Sequence, residues 1–420
     1  MLKIVHADQA AVEGFTVVPG RFFLLTLIIT CSLGMLSSTI YVPSIPAIAS
    51  ALETSVARVQ LTFVGYLLAF AGSMLALGPL SDRYGRKRTM ICGVALGALG
   101  SASCVVSPTI GFLIASRIIQ GIGLSAGLVV GRATIRDIYG RDGAAQIIAG
   151  IAIAMTLVQA FAPIPGGYLQ AWVGWRANFA AVTAFAFVAL ALVICNVPDT
   201  ASAPQPPSET ARMLARMMLA SYRTLIGTRR FLAYAFTATG AHAGFHIFAA
   251  GAPAVLIIGF GVAPEDYGYY ASLPPIGFLV GSFLSNRMTR RLGIDALIAL
   301  GSAVLVPAGL VMLILALLHV MSPYAIVGPM IVICCASGLI TPNAVAGSLG
   351  VNREIVGTAS GLVSFIQMTG AAAATAALSL GSSGNPRMLA IVIAFAGLLA
   401  LTAFGSLTRL SAQADAPASV

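Results

Sequence analysis

The stretch GPLSDRYGRKR, Gly78 to Arg88, sets one acid, four cations and two glycines between two long apolar runs. Gly85 allows a tight turn and Gly78 a close helix contact. Asp82 is an anion that can face a helix N-terminus or an arginine. Arg83, Arg86, Lys87 and Arg88 suit an anionic lipid surface and hold the turn on one side of a membrane. A second string, SFLSNRMTRRL, Ser282 to Leu292, repeats this pattern 204 residues later. Ser81 falls on Ser285, Arg83 on Arg287, Arg86 on Arg290 and Lys87 on Arg291, while Asp82 falls on Asn286. Repeats of this kind build two-part membrane folds with a binding site between the halves near the bilayer midplane.

Composition agrees. The 420 residues are 58% hydrophobic and 9% charged, with a mean hydropathy of +0.95. Soluble domains carry about 25% charged residues, so the chain belongs in a membrane. A net charge of +10 would suggest nucleic acid in a soluble protein. Here it marks the side of the membrane on which the basic loops lie, and no nucleic-acid partner is expected. The six cysteines (Cys31, Cys92, Cys104, Cys195, Cys334 and Cys335) lie in or beside apolar runs without CxxC or zinc spacing, and read as packing residues.

A span needs about 20 apolar residues. Such runs fall near 22–48, 58–80, 89–106, 110–135, 144–169, 176–196, 231–258, 266–286, 295–319, 324–348, 355–381 and 387–408. The first is too long for a signal-peptide core and is expected to be retained. The reading is an all-α integral membrane protein with about twelve transmembrane helices in two pseudo-symmetric bundles of six, 22–196 and 231–408. Residues 1–21 and 409–420 form tails. The segment 197–230 is a linker, Pro-rich at first, then amphipathic with Arg212, Arg216 and Arg223 against Met213, Met217 and Met218. This stretch reads as a helix on the membrane surface or as a solvated one. Of 23 Lys and Arg residues, 18 fall on the side holding the N-terminus and three on the other, and Arg117 and Arg132 lie within the fourth span. The positive-inside rule then puts both termini and the linker in the cytoplasm.

GPLSDRYGRKR resembles the G-x-L-x-D-R-x-G-R-K/R signature of the major facilitator superfamily, found between its second and third helices. LIASRIIQGIG, Leu113 to Gly123, is similar to the family's fourth-helix pattern, with Arg117, Gln120 and Gly121. APIPGG, Ala162 to Gly167, resembles its fifth-helix antiporter motif, with Ala162 in place of the first glycine. There Pro163 and Pro165 remove helix hydrogen bonds, and Gly166 and Gly167 allow close packing. The closer resemblance is to the Bcr/CflA (bicyclomycin/chloramphenicol-resistance) type of drug–proton antiporter. TIYVPSIPAIA, GRATIRDIYG, GWRANF, TPNAVAGSLG and VGTASGLVSFIQ carry it over nearly the whole chain. The resemblance implies multi-pass insertion in an inner membrane and export of small molecules by alternating access, driven by inward proton flow.

One departure matters. That branch begins its first-helix motif with Asp, and here the position is Thr39. All 13 acidic residues fall in loops, tails or span edges. His242 and His246, four apart in TGAHAGFHIFAAGAP, are therefore candidates for the missing titratable group. His242 lies roughly 17 Å into the seventh helix at 1.5 Å per residue, with His246 one turn further on the same face. Imidazole titrates near pH 6.5. The alternative reading is that they hydrogen-bond within the helix bundle or contact substrate without protonating. Arg117, roughly 10 Å deep by the same rise, is a third candidate for coupling, its alternative being to snorkel outward. The candidate cavity wall is Tyr41, Arg117, Gln120, Gln159, His242, Phe245, His246, Asn343 and Gln367. An apolar cavity with Arg117 and no central carboxylate suits neutral or anionic molecules.

No third ligand accompanies the histidines, so no metal site is expected. Without a Walker loop, GxSxG elbow or HExxH, neither ATP-driven transport nor an enzyme is expected, nor is any cofactor. The expected partners are a small-molecule substrate, the proton and the bilayer, with the chain a monomer. An importer, symporter or uniporter of the same fold is the alternative, and a non-transporting sensor a more remote one.

Overall fold

A computed structural model describes residues 22–198, 220–352, 355–381 and 384–414. Its long helices, in chain order, are α1 (Phe23–Ala51), α2 (Val56–Tyr84), α3 (Arg86–Val105), α4 (Ile110–Gly140), α5 (Gln146–Trp172), α6 (Trp175–Asn196), α7 (Arg229–Gly259), α8 (Pro264–Leu292), α9 (Ile294–Leu317), α10 (Pro323–Gly350), α11 (Gly357–Ser379) and α12 (Pro386–Leu407). Eleven are long and apolar enough to cross a bilayer. The other is α8, with Glu265 and Asp266 in its first turn and Arg290 and Arg291 in its last. It is as long as α2 but more polar. The expected linker helix, with Arg212, Arg216, Met213, Met217 and Met218, lies outside the described residues, as do residues 1–21. Residues 220–227 are helical, and Arg223 there is exposed.

Local chemistry explains where the helices stop. Gly85 (φ 92°) separates α2 from α3 and Gly293 (φ 79°) separates α8 from α9. Each closes a helix in a backbone region that side chains avoid, so the next helix reverses after a single residue. The Ser55 and Thr109 hydroxyls accept from the N–H groups of Arg58 and Phe112, capping α2 and α4. Within α1, the first helical run ends at Thr39, and a 3-10 turn at Val42–Ser44 precedes a second run from Ile45. Pro43 and Pro46 have no N–H to donate, which breaks the ladder there.

Large apolar side chains such as Leu99, Phe185, Phe187, Phe283 and Phe395 are exposed on α3, α6, α8 and α12. Their exposure fits a hydrocarbon surround, not water. Inside, α4 packs on α2 and α3 in the first half, and α10 on α8 and α9 in the second. Across the halves, α2 lies against α11 and α5 against α8.

The halves close on each other at the end remote from the linker. A Cβ on Gly167 of α5 would overlap the Pro264 carbonyl oxygen at the start of α8, and one on Gly268 would overlap the backbone of Pro163 and Ile164. The Tyr168 and Tyr269 hydroxyls hydrogen-bond at 3.0 Å beside this contact. Gly166 instead faces its own half, against the Ile40 carbonyl. At the linker end, Gly78 differs from expectation. A Cβ there would meet nothing within 4 Å, and the same holds for Gly357 and Gly361 of α11.

This arrangement separates two glycines that adjoin in sequence. Gly166→Val forces backbone apart inside one half and is expected to destabilise the fold by about 1–3 kcal/mol, as overpacking does, lowering the melting temperature. Gly167→Val forces the halves apart and leaves each intact. Hydrogen exchange should then quicken in residues 163–172 and 264–272 with little change in melting temperature. Equal behaviour of the two variants would contradict the assignment.

Candidate functional site

Arg117 on α4 is fully buried, so it does not snorkel. Its Nη1 donates to the Ser37 carbonyl at 3.1 Å, to the Ser37 hydroxyl at 3.2 Å and to Gln120 Oε1. Ser37 lies in the last turn before the break in α1, where helix carbonyls gather partial negative charge. The guanidinium stacks on the rings of Tyr41 and Tyr66, 4.4 and 4.3 Å from their centroids. Such contacts contribute about 0.5–2 kcal/mol each. Gln120 Nε2 donates to Ser101 at 2.7 Å, the Tyr41 hydroxyl pairs with Thr62 at 3.1 Å, and Tyr66 donates to the Gly34 carbonyl at 2.7 Å. Among the described residues the ion pairs are those of Arg86. Arg117 therefore has a dipole and aromatic faces for company but no carboxylate. Its Nε and Nη2 are buried without a hydrogen-bond partner. Tyr41, Arg117 and Gln120 thus form one cluster inside the first half, sealed from open space.

The second cluster sits on α7. His242 and His246 place their Nε2 atoms 3.1 Å apart. One ring must carry hydrogen on Nε2 and the other must accept there, so the pair shares one proton position. Phe245 stacks edge-on to His246. His246 is 2% exposed, while His242 is half-buried. The His246 Nδ1 is buried and finds no partner, a deficit of about 1–3 kcal/mol for a buried polar atom. Among the described residues, no group of three His, Cys, Asp or Glu side chains could hold a metal.

Helix α2 joins these clusters, and sequence reading missed it. Over two turns it sends Thr62 to Tyr41 and Tyr66 to the Arg117 guanidinium. The same turns send Phe63 to the His246 ring, 6.0 Å between centroids. Gln60 Nε2 donates to the Ala250 carbonyl of α7 at 3.1 Å. That carbonyl is available because the Ala254 N–H bonds back to Gly251 as α7 passes into a π-turn at Ala254–Gly259. The available signal was weak: a glutamine, a threonine and a tyrosine within one apolar run.

The remaining candidates are dispersed. Gln159 on α5 and Gln367 on α11 are half-buried, and the Gln367 Nε2 is buried without a partner. Asn343 is buried within the second half. It donates to Ser285 and to the Leu339 carbonyl, both at 2.7 Å, and accepts from Thr289 at 3.2 Å. It ties α10 to α8 instead of joining either cluster. In the first half the corresponding tie is ionic. Arg86 pairs with Asp82, donates to Ser81, and reaches Asp137 at the end of α4 at 2.8 Å. Arg83 lies over the Tyr84 ring at 5.2 Å, and Lys87 is half-buried. Asp137 lies outside the GPLSDRYGRKR stretch that supplies the rest of this tie. Pro163 opens the helical run Pro163–Trp172 that carries Gly166 and Gly167 to their close contacts.

Comparison with known proteins agrees with this architecture. The model of the Major Facilitator Superfamily matches residues 27–375. The chain is 28% identical to a bicyclomycin resistance protein homolog of Haemophilus influenzae, over 82% of this chain and 85% of the relative. It is 26% identical to multidrug resistance protein D of Escherichia coli, over 93% and 97%. It is also 26% identical to a chloramphenicol resistance protein of Pseudomonas aeruginosa, over 71% and 69%. Among solved structures, a peptide transporter bound to sulfate superposes with a TM-score of 0.73 at 15% identity, covering 96% of each chain. A D-xylose-proton symporter gives 0.72 at 13%, covering 91% of this chain and 97% of that one. A helical membrane chain matched over most of its length in this way is a transporter and not an enzyme, and it belongs to the Major Facilitator Superfamily.

Proposed function

We propose that the protein exports small neutral or anionic molecules across an inner membrane in exchange for protons, and that His242 and His246 carry the proton. The carrying observation is the 3.1 Å Nε2–Nε2 contact, placed on α7 where the halves meet. A neutral pair holds one hydrogen between the rings. A second proton would set two N–H groups against each other and end the contact, so the pair has two distinct arrangements that differ by one charge. Phe63 and the Gln60–Ala250 bond cover His246 from the far end. Opening there would expose the pair to one side, and closing it leaves half-buried His242 to the other. Alternating access of one titratable site is what exchange requires.

The preference for neutral or anionic cargo rests on charge. Among the described residues, acids within the helices keep to the end turns, as Asp82, Asp137, Glu265, Asp266 and Asp295 do. Arg117 has no acid against it. A cationic drug would find no counter-charge among these helices and would be repelled at a distance by the buried guanidinium. Bicyclomycin and chloramphenicol, from the names of the relatives, are the first compounds to test. The basic excess puts the linker end and both termini in the cytoplasm, so the described arrangement is closed toward the outside. We take the transporting unit to be the monomer.

Two outcomes follow. In proteoliposomes with an imposed pH gradient, His242→Gln with His246→Gln should abolish gradient-driven uptake of chloramphenicol and spare exchange without a gradient. Gradient-driven uptake at the wild-type rate would remove the histidines from coupling. Separately, Thr39→Asp restores a carboxylate to the far half of α1. It should add export of a lipophilic cation such as tetraphenylphosphonium, which the wild-type protein handles at least tenfold more slowly. Equal cation export by both proteins would contradict the charge argument.

A further inference from the structure

Helices α7 and α12 pack backbone to backbone at mid-membrane, where a Cβ on Gly240 would lie against the Ala396 oxygen and the Ala400 nitrogen. Toward the linker end they part and leave a groove of about 560 Å³. Leu232 and Phe236 of α7 give it an apolar wall, and Thr402, Gly405 and Ser406 of α12 form the other side. Phe236 is 42% exposed, and a Cβ at Gly405 would meet nothing within 4 Å. Arg229, exposed, stands at the mouth, with exposed Arg230 beside it. Among the described residues, no acidic side chain lines the groove.

We infer that this groove binds one anionic glycerophospholipid, its phosphate on Arg229 and an acyl chain along Leu232 and Phe236. Three features favour a lipid over another occupant. Both walls belong to membrane-spanning helices, so the groove faces acyl chains. The cation sits at one end only, seven residues or roughly 10 Å along α7 from Phe236 at 1.5 Å per residue, matching a headgroup above a chain. Finally, a guanidinium pairs with a phosphate bidentately, and with two exposed cations side by side, Arg229 and Arg230, a headgroup of net negative charge is favoured over one whose own ammonium cancels the phosphate. A lipid there would wedge the base of the helix that bears His242 and His246.

Native mass spectrometry of the purified protein, titrated with phosphatidylglycerol or phosphatidylcholine of the same chains, tests this. The wild-type protein should retain phosphatidylglycerol at least fivefold better. Arg229→Gln should bring retention down to the phosphatidylcholine level, and Arg229→Lys should restore part of it. Gly405→Leu adds a side chain to the α12 wall without touching the charge, and should lower retention of both lipids. A photoactivatable phosphatidylglycerol should label residues 229–236 or 402–406. Equal retention of the two lipids by the wild-type protein, wild-type retention by Arg229→Gln and Gly405→Leu, or labelling confined to other helices would overturn the inference.

Discussion

Everything at the centre of this protein is arranged around a buried guanidinium that has no carboxylate. Removing a charge from water costs several kcal/mol even after relaxation. Arg117 offsets that cost with the Ser37 carbonyl and hydroxyl, the Gln120 amide and two tyrosine rings. Charge-assisted hydrogen bonds contribute about 1.5–3 kcal/mol each, so the site holds a cation without an anion. Each of these partners fixes a helix. Ser37 and Tyr41 anchor the break in α1, Gln120 ties α4 to Ser101 of α3, and Tyr66 anchors α2. The same stretch of α2 then reaches the histidines through Phe63. Arg117 and the His242–His246 pair are thus neighbours by way of one helix, though they belong to opposite halves.

The two halves repeat in sequence but differ in chemistry. At the linker end of the first half, Arg86 is clasped by Asp82 and Asp137, an ionic tie that salt and protonation both weaken. In the second half the equivalent of Asp82 is Asn286, and α8 is tied to α10 by Asn343, Ser285 and Thr289. Those bonds are neutral and do not titrate. The repeat preserves the backbone plan while the charge is confined to one half.

How much of this was legible in sequence depends on the kind of signal. The spans were, because a bilayer demands long apolar runs and sets basic residues at their ends. Even α8 was marked at its two ends by Glu265, Asp266 and the arginines that make it the most polar span. The burial of Arg117 was suggested by depth but not its aromatic cage, since Tyr41 and Tyr66 are 25 residues apart and meet only through packing. Asn343 read as cavity lining because a polar residue in a span looks the same whether it faces a cavity or a neighbouring helix. Gly78 read as a contact glycine, yet faces open space. Gln60 and Thr62 carried only the weak signal of polar groups in an apolar run, and Phe63 carried none. Their importance comes from partners distant in sequence, the Ala250 carbonyl for Gln60, Tyr41 for Thr62 and the His246 ring for Phe63, which only packing brings together.

The central claim is that the histidine pair exchanges a proton for cargo. It is tested most directly by proton release on binding, followed with a pH indicator in weakly buffered solution over a series of starting pH values. Adding an exported neutral compound to the purified protein should release protons, and the release should vanish in the double glutamine variant while the compound still binds. Undiminished release from that variant, or none from the wild-type protein on saturable binding, would contradict the account.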